Sequence, residues 1–187
     1  SKQSRGLGDV YKRQTLTFTH KLDPDDQWLY LPALKRVKRI TSDNRSGSFV
    51  GSEFAYEDLG SQELEKYKNR KYLRKEACPN NNELECHVIS RVPTEKSSGY
   101  KYQVLWLDDT AAHKVWKIDY FDRKGSHLKT LFFDDYKIYL DKHWRPSFYK
   151  MINHQTGKST DLLVQNIRFK VGLSSRDFNP KSLSRAR

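Results

Sequence analysis

From Thr15 onward, bulky and polar residues alternate with a period of two, and clusters of Gly, Asp, Asn and Pro interrupt the alternation about every ten residues. In an extended chain successive side chains point to opposite faces, so this pattern predicts an all-β protein. Strands are expected over 15–20, 26–31, 35–41, 68–77, 84–92, 99–107, 113–121, 127–140, 144–153 and 158–170. Leu31-Pro32-Ala33-Leu34 reads as a turn. One helical stretch is expected near Asp58–Lys68, where Ser61 can cap and Leu64 and Tyr67 lie three apart. Residues 42–57 form a Gly/Ser-rich loop with Phe49, Phe54 and Tyr56 embedded in it.

The C-terminal half permits a register to be written down. A five-residue loop, Asp108–Ala112, pairs 106 with 114, 104 with 116 and 102 with 118, which puts Tyr100, Tyr102, Val104 and Trp106 on one face with Trp116, Ile118 and Tyr120. A second loop, Asp122–Ser126, pairs 118 with 130 and 116 with 132, adding Leu128 and Phe132. A three-residue loop, Asp141–His143, sets Trp144 and Phe148 opposite Leu140 and Tyr136. The loop His154–Gly157 switches parity, and the last strand's apolar set becomes Leu163, Ile167 and Phe169. So wide an apolar face must be covered. Leu105, Leu107, Leu131, Phe133, Tyr139 and Tyr149 make the opposite face apolar too, and one short helix cannot cover either. The expected architecture is a strongly curved antiparallel sheet or unclosed β-barrel, its concavity lined by the aromatic set and plugged by residues 42–67.

No run approaches 18 apolar residues, so no transmembrane helix is encoded in this sequence. The formal charge is +12, which suits an acidic partner such as nucleic acid or anionic lipid. Residues 1–14, SKQSRGLGDVYKRQ, have no apolar period and look like a translated sequencing-adaptor tract. Set apart as non-native, they account for +3 of that charge through Lys2, Arg5, Lys12 and Arg13 against Asp9, leaving +9. Residues 15–187 are then expected to be a single domain. The only methionine is Met151, so the gene's start and any signal peptide are expected upstream.

Lys35, Arg36, Lys38 and Arg39 are the densest basic cluster and suit a phosphate or lipid headgroup. Alternation puts Lys35, Val37 and Arg39 on one face and Arg36, Lys38 and Ile40 on the other, as a charge-defended strand edge also would. Aromatic residues interleaved with cations keep single-stranded nucleic acid as the alternative binding class, without the Gly-rich clamp that would favour it. Asp23, Asp25 and Asp26 lack the Gly and distal Glu of a calcium loop. The six histidines are scattered with no metal-ligand spacing, so neither metal nor cofactor is expected. Glu53, Glu57 and Asp58 are the nearest approach to an acid/base set, and no enzyme is expected. Core packing and ligand contact are equally open for Trp28, Trp106, Trp116 and Trp144. Cys78 and Cys86 flank Pro79-Asn80-Asn81-Asn82, and a bridged pair and two separate thiols are equally compatible with the count.

The stretch from Asp26 to Ile40, DQWLYLPALKRVKRI, resembles the signature hairpin of the LolA-like outer-membrane lipoprotein-sorting family, and SGSFVGSEFAYEDL at 46–59 resembles the segment after it. Cys86-His87-Val88-Ile89, Leu105-Trp106-Leu107-Asp108, Tyr120–Gly125, Trp144-Arg145-Pro146 and Asn153–Gly157 follow in the family's order. The resemblance covers about 15–187 and lacks the family's signal peptide and first elements. It implies an unclosed barrel of the LolA/LolB type in the periplasm, soluble or lipid-anchored, and a monomer carrying lipid or lipoprotein acyl chains for transport. A lipid-exporting inner-membrane transporter is the implied partner, and nucleic acid is not. Candidate acyl-chain contacts are then Trp28, Tyr30, Tyr102, Val104, Trp106, Trp116, Ile118, Tyr120, Phe132 and Phe148, with Lys35, Arg36, Lys38 and Arg39 toward a headgroup or partner. In an oxidising periplasm Cys78 and Cys86 are expected to pair.

Overall fold

The computed structural model describes the backbone of residues 2–8 and 13–184, and side chains over 14–184. The chain forms two compact units. The first comprises Ser1–Gly47, Ala55–Lys66 and Arg168–Arg187, the second Ser48–Phe54 and Tyr67–Ile167.

The first unit is an antiparallel meander of β1 (Lys2–Gly8), β2 (Arg13–Thr19), β3 (Asp26–Leu31) and β4 (Arg36–Ile40). β1 lies in the tract set apart above; it pairs with β2 from Lys2 opposite Thr19 to Gly8 opposite Arg13. An unpaired strand edge offers backbone donors and acceptors to any extended segment, and this pairing is of that backbone kind. Pro32–Leu34 forms a 3-10 turn, and Lys35, at φ 46°, closes it by donating its N–H to Pro32 O at 3.1 Å.

The helix expected near Asp58–Lys68 is absent. Two 3-10 turns, Tyr56–Leu59 and Leu64–Lys66, stand in its place, and β5 begins at Tyr67. Asp25 explains the interruption, since its buried carboxylate accepts the backbone N–H of His20 at 3.1 Å and of Ser61 at 3.0 Å, and pairs with the Lys66 ammonium. Those bonds pin the segment in a shape a continuous helix cannot adopt. One face of the meander buries Gln27, Leu29 and Ile40; on the other, Leu16 is buried, and a C-terminal 3-10 turn, Pro180–Ser184, packs against β2, β3 and β4 and buries Leu183.

The second unit is a seven-stranded antiparallel sheet: β5 (Tyr67–Cys78), β6 (Asn81–Pro93), β7 (Tyr100–Asp108), β8 (Val115–Asp122), β9 (His127–Tyr139), β10 (His143–Asn153) and β11 (Ser159–Leu163). Neighbours in sequence are neighbours in the sheet, and β5 and β11 form its two edges, so it does not close into a barrel. Cys78 and Cys86, at the β5–β6 turn, are joined by a disulfide. β11 ends well short of residue 170, leaving Ile167 and Phe169 outside the strand.

The single apolar face expected across β7 and β8 is corrected by their register. Trp106 lies opposite Lys117, Val104 opposite Asp119 and Leu105 opposite Ile118, three residues away from the expected pairing. An odd shift exchanges the faces. A bulge between the Trp106 and Leu107 pairs keeps Trp116 on the side of Trp106 while sending Ile118 and Tyr120 to the other. A second irregularity parts Tyr100, which packs on Tyr120 at 4.7 Å, from Tyr102, which stacks on Phe121 at 4.2 Å. The cause is Asp108. Fully buried, it accepts the hydroxyl of Thr110 at 2.6 Å, the N–H of Lys114 at 3.1 Å and the indole N–H of Trp116 at 3.0 Å, widening the loop beyond the five residues expected. At the next hairpin Ile118 opposes Leu131 rather than residue 130. In β9–β10 Trp144 opposes Ile138 and Phe148 opposes Asp134, a shift of two that preserves the faces.

Candidate functional site

The two faces of the seven-stranded sheet differ chemically. One carries a buried row of Leu105, Ile118, Leu131 and Met151, running across β7 to β10 in direct cross-strand register. Tyr100, Tyr120 and Phe54 complete this core, and Phe49, Ile89, Leu107, Val115, Phe133 and Tyr149 lean on it half-buried. Burial also pushes the Tyr149 phenol above its ordinary pKa, as expected of a ring held in apolar surroundings.

A turn, Ser48–Phe54, plugs one end of this face. Phe49 donates its N–H to Phe54 O at 2.6 Å, and Glu53 anchors the turn to the sheet: its N–H reaches Thr160 Oγ1 at 3.0 Å, its carbonyl accepts Lys129 Nζ at 3.0 Å, and its carboxylate accepts Asn153 Nδ2 at 2.8 Å. The expectation that residues 42–67 plug a concavity lined by Tyr102, Trp106 and Trp116 is corrected: Phe49 and Phe54 lie on the opposite face. Asp58 instead caps the N–H of Ala55 at 2.6 Å.

The other face holds Val88, Val104, Trp106 and Trp116 over the disulfide, with Tyr102 and Phe121 beside them. Its tryptophans are dressed by charge. Trp106 donates its indole N–H to Glu76 at 2.6 Å under Lys117 Nζ, 4.0 Å from the ring, and Lys114 Nζ lies 4.6 Å from the Trp144 ring. The Arg74 hydrogen bond, with that of Trp106, holds Glu76 below the usual carboxylate range against the cost of burial. Phe132 and Phe148 belong to this face by register, opposite Lys117 and Asp134 respectively. Of the sequence-derived acyl-chain candidates on this sheet, Ile118 and Tyr120 therefore lie on the apolar face, while Tyr102, Val104, Trp106, Trp116, Phe132 and Phe148 lie on the charge-dressed one.

The first unit has its own open cleft of about 550 Å³, lined by Trp28, Lys35, Val37, Arg39, Pro180, Lys181 and Ser184. Lys35, Val37 and Arg39 share one strand side, and Trp28 joins them there. Arg39 pairs with Asp26 at 2.5 Å and lies 5.7 Å from the Trp28 ring, and that bond, against the cost of burial, holds Asp26 below the usual carboxylate range. Tyr30, opposite Val37, shares the strand face, whereas Arg36 and Lys38 are exposed elsewhere, opposite Leu31 and Leu29. Lys181 and Ser184 were invisible to sequence reasoning because nothing in an irregular C-terminal segment announces where it packs.

Two of the scattered histidines do meet. The His127 and His154 rings meet tilted, with centroids 4.4 Å apart, and both reach the Thr130 hydroxyl, which bonds Asp119 at 2.6 Å. Burial, then the neighbouring His127, pushes His154 below its ordinary pKa. Among the described residues no group of three or more His, Cys, Asp or Glu could hold a metal ion.

The open antiparallel sheet, with its apolar face and short aromatic plug, superposes on solved structures that include the LolA superfamily, whose fold it shares. A LolA superfamily protein from Nitrosomonas europaea superposes with a TM-score of 0.68 at 17% identity, over 95% of this chain and 76% of its own. A DUF1329 family protein from Desulfovibrio piger matches at 0.81 and 26% identity, over 91% and 70%. A domain from Vibrio parahaemolyticus, described as outer membrane lipoprotein-sorting, matches at 0.85 and 52% identity, over 92% of this chain and 71% of that one. A family model with the description "-like: Uncharacterized protein" matches residues 8–185. No curated protein matches significantly. The chain belongs to the outer-membrane lipoprotein-sorting family of the Vibrio domain and shares the LolA fold.

Proposed function

We propose that this protein is a non-enzymatic periplasmic carrier that shelters acyl chains of lipid or lipoprotein against the Leu105–Ile118–Leu131–Met151 face of its seven-stranded sheet. One observation carries the reading. The buried row continues past the plug into half-buried Ile89, Leu107, Val115, Phe133 and Tyr149, an apolar surface with no α-helix of its own unit above it among the described residues. About ten methylenes leaving water contribute roughly 8 kcal/mol before ordering costs, the scale of a micromolar dissociation constant. Independently of that face, the first unit's own Trp28 cleft, with Lys35, Arg39 and Lys181, offers a cationic place for an anionic group. The carrier acts as a monomer and exchanges cargo with a lipid-exporting inner-membrane transporter.

The test is uptake of a fluorescent fatty acid by delipidated protein. Phe133→Asp sets a carboxylate on the apolar surface outside the buried row, and uptake should weaken at least about tenfold with far-UV circular dichroism unchanged. Wild-type protein that takes up no fatty acid and yields none on extraction refutes carriage.

A further inference from the structure

The β9–β10 hairpin runs out to a tip that does not obey the economy of an ordinary surface turn. Its three-residue loop, Leu140–Lys142, places Leu140 at φ 51° and Asp141 at φ 57°. Asn or Gly takes this left-handed conformation cheaply and a leucine does not. The leucine side chain gains no burial in return, being 45% exposed. Ile138 and Trp144, cross-strand partners and so on one side of the hairpin, are 47% and 36% exposed. Lys137, Lys142 and Arg145 interleave with these apolar residues, against one carboxylate, Asp141, between Tyr136 and Pro146. Lys137 is paired with Asp135 at the tip's base.

Apolar side chains at a turn apex, a tryptophan beside them and an excess of cations around them match the layering of a bilayer surface, with hydrocarbon below, an interfacial zone that favours Trp, and anionic headgroups. We propose that the β9–β10 tip is a docking element for anionic phospholipid bilayers, inserting Leu140, Ile138 and Trp144 at the interface while Lys142 and Arg145 meet the headgroups. Docking is separate from acyl-chain carriage: the tip lies outside the apolar row, so either property can exist without the other.

The full chain is co-sedimented with phosphatidylcholine vesicles and with mixed phosphatidylcholine–phosphatidylglycerol vesicles. Binding should favour the mixed vesicles and weaken with salt. Leu140→Asn, which eases the turn and so keeps the fold, should bind both about fivefold more weakly, the loss expected for a half-exposed leucine. Lys142→Ala should weaken binding to the mixed vesicles alone, also about fivefold. The proposal is overturned if wild-type protein sediments with neither vesicle, if it makes no distinction between them, or if Leu140→Asn binds as wild type does. Fatty-acid uptake measured on the same variants should not change, which keeps a failure of docking distinct from a failure of carriage.

Discussion

Replacing Asp108 by alanine tests whether one buried carboxylate sets the register of the β7–β8 hairpin. The side chain is fully buried and takes three hydrogen bonds, from Thr110, from the Lys114 backbone and from the Trp116 indole, with Lys114 Nζ 3.7 Å away. Alanine leaves the Lys114 and Trp116 N–H groups without their acceptor. At about 1.5–3 kcal/mol for each bond to a charged group, offset by relief of the carboxylate's desolvation, the expected loss is about 3–4 kcal/mol. That is a large fraction of a typical stability of roughly 5–15 kcal/mol. Asparagine keeps an oxygen toward part of the set and should cost about half as much. Urea denaturation followed by tryptophan fluorescence and circular dichroism reads both variants as a fall in midpoint. Burial pushes the Asp108 carboxyl up, but the bonds from Thr110, Trp116 and Lys114 outweigh it and hold the group below the ordinary range. A carboxylate whose folded pKa is lowered stabilises above its unfolded pKa of about 3.9 and loses that contribution as pH falls through the folded value. The gap between wild type and Asp108→Asn should therefore narrow below about pH 4. An Asp108→Ala variant within about 1 kcal/mol of wild type refutes the reasoning.

Further outcomes follow from the disulfide and from the packing. Cys78 and Cys86 in periplasmically produced protein should resist alkylation under denaturing conditions until reduced, and replacing both by serine should lower stability by about 2–3 kcal/mol, measured by urea denaturation. Leu131→Ala, in the middle of the buried row, should cost about 2–5 kcal/mol in the same assay, whereas Leu163→Ala, on an exposed edge-strand residue, should change stability by less than about 0.5 kcal/mol.

Strand existence was legible from the sequence because alternation is a local property: β3, β4, β5, β6 and β7 fall within a few residues of the spans read from it. The same alternation put Lys35, Val37 and Arg39 on one side, and the Trp28 cleft is built on that side. Neither the missing helix nor the bulges left a comparable trace. Two 3-10 turns replaced the helix because a distant carboxylate, Asp25, captured Ser61 and Lys66.

By itself, then, the sequence determined an antiparallel β protein of LolA-like character, the order of its hairpins and the location of its cations and cysteines. Tertiary structure alone decided which face of the large sheet is apolar. Both faces of β7 carry bulky residues, so hydrophobic pattern could not choose between registers one odd step apart. The choice fell to Asp108, whose burial beneath Trp116 moved the pairing from residue 114 to residue 117 opposite Trp106. Because side chains alternate strictly, that odd displacement carried Ile118 and Tyr120 to the face of Leu105, Leu131 and Met151 and left the tryptophans to the charged one.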